Sequence, residues 1–445
     1  MIILIQIFLT LIAIIVCSSR LLINIFSRNQ YVNYENIFLI LLIVDVFFPG
    51  FIGAISGYYQ KFPYFVIQND SSYLLSVVIF VFGTILFALG FKLADNITIK
   101  QLKPDPTQEF SISEPMLLLS FLFAVGVMLA NLFNEYLSIG SWELFYQYKI
   151  ARVYLVTVEH TSIFAKLIGF ASELTLIILF MTMSIGLVNG SKLRHSFFWE
   201  KVAPIVAFIL TLTTMYRGTI LQYGVVFILS LQYKYNWKLA QKLRGQIIRL
   251  GIFFILAFVI YGALRTSLNN SYWGEEQLGF VDSVFTMLTN TLGTSLIAGA
   301  RCIEYLNAGN PLFWGESIIQ MFYSFIPRSI WLDKPTQYGI ITLTTAMGSP
   351  NTTMDAITIP GELLLNFDFL GLLLIVLVGC IFGLMEKMRE SNRFRYLYIA
   401  SLSPLVTTSM WMSFTGFFAQ TKHFPIYVIV IALIFRKKKT IRIGK

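Results

Sequence analysis

Long apolar runs separated by short polar segments recur along almost the whole chain. A helix that crosses a bilayer needs about 20 predominantly apolar residues. Candidate stretches lie at residues 2–18, 37–56, 73–93, 115–134, 163–187, 250–268, 366–385, 397–418 and 425–435. The stretch 202–233 is too long for one helix, and Tyr216, Arg217 and Gly218 interrupt it, which predicts two short helices in a hairpin. The pattern therefore predicts an all-α, polytopic membrane protein with about eleven transmembrane helices.

The composition agrees with a lipid environment. Of the 445 residues, 56% are hydrophobic and 13% are charged, whereas a soluble domain carries roughly a quarter charged residues. The first apolar run lacks a basic start and a cleavage site, so we expect it to be retained as a spanning helix. Cys17, Cys302 and Cys380 lie far apart and form no Cys-x-x-Cys or Cys/His spacing, which argues against a disulfide framework and structural zinc.

The positions of Lys and Arg predict the orientation in the membrane. The net charge is +10, but the basic residues recur in short clusters between apolar runs, which is typical of membrane topology and not of a nucleic-acid partner. If the C-terminus is cytoplasmic, alternation of the eleven helices places every strongly basic cluster inside. The N-terminus then lies outside, together with 57–72, 135–162 and a long segment from about 269 to 366.

This topology divides the chain into three regions. We expect an N-terminal transmembrane bundle over 1–268, a large outer loop over 269–365, and C-terminal helices with a basic cytoplasmic tail over 366–445. Loops of that length are usually functional, and apolar runs at 280–300 and 311–326 predict re-entrant or interfacial helices within it. No internal repeat is apparent, so an inverted-repeat transporter has no support.

Several cations fall on the predicted outer side, against the charge rule. They include Arg217 at the tip of the hairpin, Arg265 near a helix end, and Arg301, Arg328 and Lys334 in the long loop. Each alone is compatible with interface anchoring or with a carboxylate partner. Several arginines around one loop favour an anion site, because the planar guanidinium matches phosphate oxygens.

The segment FIPRSIWLDKP at 325–335 is the most distinctive motif of the chain. Its two prolines rule out a continuous helix and predict a rigid turn that presents Arg328 and Lys334 at the membrane surface. With Tyr-Arg-Gly at 216–218, Ala-Leu-Arg at 263–265 and Gly-Glu at 361–362, the chain resembles the bacterial oligosaccharide repeat-unit polymerases, the O-antigen polymerase family. The resemblance covers about residues 200–385, and the first half matches only in hydropathy and span number.

The resemblance implies a GT-C-like fold and a glycosyltransferase that joins oligosaccharide repeat units carried on undecaprenyl pyrophosphate. The reaction would take place at the periplasmic or outer face of a bacterial cytoplasmic membrane and would build O-antigen or capsular polysaccharide. Whether a chain-length-regulating co-polymerase takes part stays open. Neither a cofactor nor a metal is expected, because no Asp-x-Asp pair occurs in the outer segments.

Breaking the bond to the lipid pyrophosphate creates an anionic leaving group, which fixed cations would stabilise. Arg217, Arg265, Arg301 and Arg328 are the candidates, with Lys334 assisting, and Arg217 and Arg328 are the candidate catalytic cations. A carboxylate or imidazole would accept the proton of the attacking hydroxyl. Among Glu362, Asp355 and His423 we favour Glu362, which precedes a predicted helix, although an acidic residue there also suits the helix dipole.

Two other functions compete with a polymerase. An O-antigen ligase shares the donor but would need an outer catalytic histidine in a large loop, and neither His160 nor His423 lies in the long loop. A polysaccharide flippase or ion-coupled transporter would carry ionisable residues along several spans, whereas this chain concentrates them at the predicted outer face.

Cysteine labelling tests the predicted topology. A cysteine in place of Ser349 should react with a membrane-impermeant maleimide in intact cells, because the long segment is predicted to lie outside. A cysteine in place of Ser391 should react only after permeabilisation. The opposite labelling pattern would contradict the orientation.

Overall fold

Helices make up nearly all of the secondary structure in the computed structural model. The structure describes residues 2–26, 33–56, 69–97, 110–142, 144–145, 163–214, 217–235, 245–246, 249–254, 256–257, 259–264, 279–287, 294–323, 331, 358–390, 395–399 and 424–437. Its α-helices, in chain order, are α1 Ile2–Phe26, α2 Tyr34–Leu41, α3 Phe48–Ser56, α4 Asp70–Ala94, α5 Glu114–Ile139, α6 Ile163–Asn189, α7 Ala203–Thr213, α8 Arg217–Lys234, α9 Arg249–Leu264, α10 Phe280–Met287, α11 Thr294–Asn307, α12 Glu316–Tyr323, α13 Ile359–Gly371, α14 Ile375–Lys387 and α15 Phe424–Ile434.

Six helices in the described part of the chain are long and apolar enough to cross a bilayer. They are Ile2–Phe26, Tyr34–Ile55, Asp70–Ala94, Glu114–Ile139, Leu174–Lys192 and Ile359–Lys387. Each overlaps a stretch predicted from the sequence, and the shorter apolar helices α9 and α15 overlap two more. The stretch 397–418 lies outside the described residues beyond position 399. The protein is therefore a helical membrane protein, while the count of eleven spans and the GT-C-like arrangement stay predictions.

The interruption predicted in the stretch 202–233 is confirmed. Helix α7 ends at Thr213 and α8 begins at Arg217, and the two helices pack against each other. The Tyr223 hydroxyl donates a hydrogen bond to the Pro204 carbonyl oxygen at 2.9 Å. This bond ties the middle of α8 to the start of α7, as expected for a hairpin.

The described segments form two compact units, each assembled from separate parts of the chain. The first contains Met1–Thr98, Phe285–Glu386 and Thr408–Lys422, and the second contains Ile99–Val284, Lys387–Thr407 and His423–Lys445. The predicted division into 1–268, 269–365 and 366–445 follows chain order and stays a prediction. Within the predicted outer loop, the first apolar run contains α10 and the first half of α11, and the second run contains α12; these helices have 8, 14 and 8 residues.

In the second unit, α5 packs along α6, and two short strands pair beside them. Strand β1, Phe110–Ile112, runs antiparallel to β2, Phe435–Lys437. Glu114 begins α5, and its carboxylate accepts hydrogen bonds from the backbone N–H groups of Arg194 and His195 and from the Trp199 indole. These bonds fix the segment after α6 at the N-terminus of α5, where a negative charge is favoured.

In the first unit, small residues let α4 and α14 approach closely. A Cβ at Gly90 would collide with the Val376 carbonyl oxygen, and a Cβ at Gly379 would collide with the Phe87 carbonyl oxygen. Close backbone approach through small residues is a common way for helices to associate in membranes, where apolar burial offers little driving force. Helix α4 also packs against α11, and this arrangement holds α11 and α14 in one unit.

Candidate functional site

The long helix from Ile359 to Lys387 contains a sharp break. Phe367 (φ −137°, ψ 15°) and Asp368 (φ 57°, ψ −157°) leave helical geometry, so α13 consists of a short arm up to Asn366 and a second arm that continues into α14. A Cβ at Gly371 would collide with the Leu363 carbonyl oxygen, so the two arms meet closely just after the break. The second arm corresponds to the span predicted at 366–385. The short arm lies before it and carries Glu362.

In a continuous helix, the carbonyl oxygens before the break would accept hydrogen bonds from N–H groups of the next turn. The break leaves the carbonyl oxygens of Leu365 and Asn366 available to other donors. The Leu365 carbonyl oxygen accepts a hydrogen bond from the Phe313 N–H at 2.9 Å, and the Asn366 carbonyl oxygen accepts one from the Trp314 N–H at 3.2 Å. Buried backbone groups without partners cost free energy, and most of all in an apolar medium. The segment before α12 therefore supplies the donors that the broken helix needs.

Glu362 lies in the first turn of the short arm and is buried, with 3% of its surface exposed. The Ser317 hydroxyl donates a hydrogen bond to Glu362 Oε1 at 2.7 Å. Thr358 caps the N-terminus of the arm, where its hydroxyl oxygen accepts a hydrogen bond from the Gly361 N–H. Burial of a carboxylate is costly unless hydrogen bonds compensate it, so Ser317 and the positive end of the helix dipole both stabilise Glu362.

Asn366 connects this carboxylate to the break. Its Nδ2 donates to Ser317 Oγ and to the Glu362 carbonyl oxygen, both at 2.7 Å, and its Oδ1 accepts from the Gly315 N–H at 2.9 Å. We call Gly315, Ser317, Glu362 and Asn366 the Glu362 network. One amide thus holds the start of α12 against the short arm and orients the Ser317 hydroxyl towards Glu362.

Helix α11 packs against α13 and covers the network with an apolar cluster. Cys302, Phe313 and Leu365 form the buried part of this cluster. Burial, together with the smaller effect of the negative charge of Glu362, raises the pKa of the Cys302 thiol to about 12. Cys302 is therefore a neutral thiol at physiological pH and packs as a small apolar residue, not as a nucleophile.

Arg301, the neighbour of Cys302 on α11, forms a largely buried ion pair. Arg301 Nη1 lies 3.1 Å from Glu304 Oε2, and the two side chains are 12% and 11% exposed. Glu304 Oε1 also accepts a hydrogen bond from the Asn69 N–H at the start of α4. Burial lowers the pKa of the Arg301 guanidinium, while Glu304 opposes that shift.

The guanidinium of Arg301 retains an unused donor. Its Nε is buried and has no hydrogen-bond acceptor among the described residues. Guanidinium groups remain charged in proteins, so Arg301 combines a buried positive charge with an N–H that has no acceptor in the described part of the chain. Such a group suits a bound oxyanion.

The structure brings two of the predicted site residues, Arg301 and Glu362, onto packed helices of one unit. Arg217 begins α8 in the second unit, and its side chain lies outside the described part of the chain. Arg265, Arg328 and Lys334, with Asp355, His160 and His423, also lie outside it. That Arg217, Arg265 and Arg328 converge on one anion site therefore stays a prediction. Among the described residues, no group of three His, Cys, Asp or Glu side chains is placed to hold a metal ion.

Sequence reasoning missed Ser317, Asn366 and Glu304. Asn366 follows Glu362 by four positions and Glu304 follows Arg301 by three, so helical spacing alone could have paired them. Ser317 is 45 positions from Glu362, and no local pattern could have connected the two.

Comparison of the chain with family models, curated proteins and solved structures gives no match. The resemblance to the repeat-unit polymerases therefore rests on the short motifs alone, and the function must be argued from the site.

Asn366→Leu tests the Glu362 network. The substitution keeps the side-chain size but removes the acceptor of the Gly315 N–H and the amide that donates to Ser317 Oγ, so we expect a loss of about 1–3 kcal/mol in stability. Thermal unfolding of the purified protein in detergent measures the loss. The control is Asn310→Ala, since exposed Asn310 makes one hydrogen bond to Tyr305, and it should change stability by less than about 0.5 kcal/mol. Equal stability of the two variants would contradict the network.

Proposed function

We propose that this protein is a glycan polymerase that joins oligosaccharide repeat units carried on undecaprenyl pyrophosphate. The observation that carries the proposal is the buried, hydrogen-bonded Glu362 beside a helix that bears the buried, partly unsatisfied cation Arg301. A carboxylate that accepts a proton and a cation that receives a leaving group are the two groups this reaction needs. The motifs shared with the O-antigen polymerase family point to the same chemistry.

In the proposed reaction, a hydroxyl of the acceptor unit attacks the anomeric carbon of the donor glycan. The bond between that carbon and the pyrophosphate oxygen breaks, and undecaprenyl pyrophosphate leaves with both bonding electrons. Arg301 stabilises the charge that develops on the pyrophosphate through its unused Nε–H. Arg328 and Lys334, which belong to the same unit of the chain as Arg301, are the further cations of the anion site in this proposal.

Glu362 accepts the proton of the attacking hydroxyl. The Ser317 hydroxyl occupies the donor position at Glu362 Oε1. An acceptor hydroxyl that replaces Ser317 at this position would make the same type of hydrogen bond and would be poised to lose its proton. The exchange also explains how a carboxylate that is only 3% exposed would meet the acceptor.

The buried polar side chains of α1 give the transporter alternative no support. The fully buried polar side chains of α1, Gln6, Thr10 and Asn24, are neutral. Asn24 donates to the Asn36 side chain, and Thr10 donates to the Gln6 carbonyl oxygen. Such bonds within and between helices serve association in membranes, whereas ion-coupled transport requires groups that change charge.

Deletion and complementation of the gene test the proposed function. Cells without the gene should carry single repeat units on the final acceptor, and the wild-type gene should restore a ladder of chain lengths on a gel. Glu362→Gln should reduce polymerisation by about 10²- to 10⁴-fold, because the amide cannot accept the proton. Glu316→Gln is the matched control, since Glu316 is exposed and adjacent to Ser317, and it should restore full chain length.

Membrane abundance of each variant separates catalysis from folding. A full ladder from Glu362→Gln at wild-type abundance would remove Glu362 from the reaction. Complete absence of glycan in the deletion strain, in place of single units, would indicate a flippase. Accumulation of long chains on the lipid carrier would indicate a ligase.

A further inference from the structure

Trp314 combines an unusual backbone with an exposed ring. Its φ is 49°, and it is one of two non-glycine residues with positive φ in the described part of the chain. Left-handed geometry places Cβ close to the following carbonyl oxygen and is rare for bulky residues. The side chain is nevertheless 75% exposed, so burial of the indole does not compensate for the strain.

Backbone hydrogen bonds on both sides hold Trp314 in this conformation. Phe313, Trp314 and Gly315 donate in succession to the Leu365 carbonyl oxygen, the Asn366 carbonyl oxygen and Asn366 Oδ1. Phe313 is buried in the cluster with Cys302 and Leu365 and contacts the Tyr305 ring. The segment that places Ser317 against Glu362 therefore also fixes the backbone of Trp314, three residues away.

A membrane anchor would not require this geometry. Tryptophan at a membrane interface needs only an amphipathic ring at the correct depth, which an unstrained neighbouring position could supply. Backbone strain that the surrounding structure maintains is instead typical of ligand-binding positions. Trp314 is held in this strained conformation three positions before Ser317, and its indole is exposed.

We propose that Trp314 is a stacking platform for a pyranose ring of the glycan substrate. This inference rests on the proposed function and assigns a sugar-binding position to the same site. The C–H groups on one face of a pyranose carry partial positive charge and pack on the electron-rich face of the indole. A sugar stacked there would bring its hydroxyl groups towards Ser317 and Glu362, which is what acceptor positioning requires.

The test measures binding of an oligosaccharide to the purified full-length protein by calorimetry. The probe is the single repeat unit cleaved from the surface polysaccharide of the source cell. Trp314→Asn removes the ring but tolerates the left-handed backbone, and Trp314→Phe keeps a ring. Trp142→Asn is the matched control, because Trp142 is 68% exposed and belongs to the second unit.

We expect Trp314→Asn to bind the oligosaccharide about tenfold more weakly than the wild type, and Trp314→Phe to lose less than about threefold. Trp142→Asn should bind like the wild type. Equal affinity of Trp314→Asn and the wild type would overturn the proposal, as would an equal loss in Trp142→Asn, which would indicate a general interfacial effect. Absence of wild-type binding would overturn it as well.

The binding result and the proposed function can fail separately. If gene deletion leaves chain length unchanged while Trp314→Asn weakens binding, the sugar-binding role of Trp314 is supported and the polymerase function is rejected. If deletion leaves single repeat units while Trp314→Asn binds the oligosaccharide normally, the polymerase function is supported and the stacking role of Trp314 is rejected.

Discussion

A helix in an apolar medium can break only where other groups satisfy the backbone atoms that the break exposes. The site depends on this constraint. The carbonyl oxygens of Leu365 and Asn366 lie at the break before Asp368, and the N–H groups of Phe313 and Trp314 bind them. Because these donors lie directly before α12, the same pairing brings Ser317 to Glu362 and lets Asn366 hydrogen-bond to Gly315 and Ser317. The hydrogen bonds that satisfy the backbone at the break therefore also determine where the Glu362 carboxylate lies.

The arrangement stores strain at two positions and offsets it with hydrogen bonds. Trp314 and Asp368 both have positive φ, a conformation that costs roughly 1–2 kcal/mol for a residue with a Cβ. The backbone bonds at the break and the three bonds of the Asn366 side chain oppose that cost, each with about 0.5–1.5 kcal/mol. The balance explains how one short segment carries both an exposed indole at Trp314 and Ser317, the hydrogen-bond partner of the buried Glu362.

Apolar length predicted the helices of this protein well, because hydropathy depends on local composition alone. The six long helices overlap predicted stretches, and the stretch 202–233 contains two helices, α7 and α8, as expected. The break at Phe367 and Asp368 was not predicted, because neither Pro nor Gly marks it. It follows from tertiary hydrogen bonds to a segment about 50 positions earlier, as between Gly315 and Asn366. The sequence identified Glu362 as a candidate. It revealed neither the burial of Glu362 nor its partner Ser317, because both depend on tertiary contacts.

Reconstitution tests the central claim most directly. The purified protein in liposomes, supplied with undecaprenyl-pyrophosphate-linked repeat units as its only substrate, should produce a ladder of lipid-linked glycans. It should also release one undecaprenyl pyrophosphate for each new glycosidic bond. Folded wild-type protein that yields neither the ladder nor the released lipid, or that only moves the lipid-linked units across the bilayer, would contradict a polymerase.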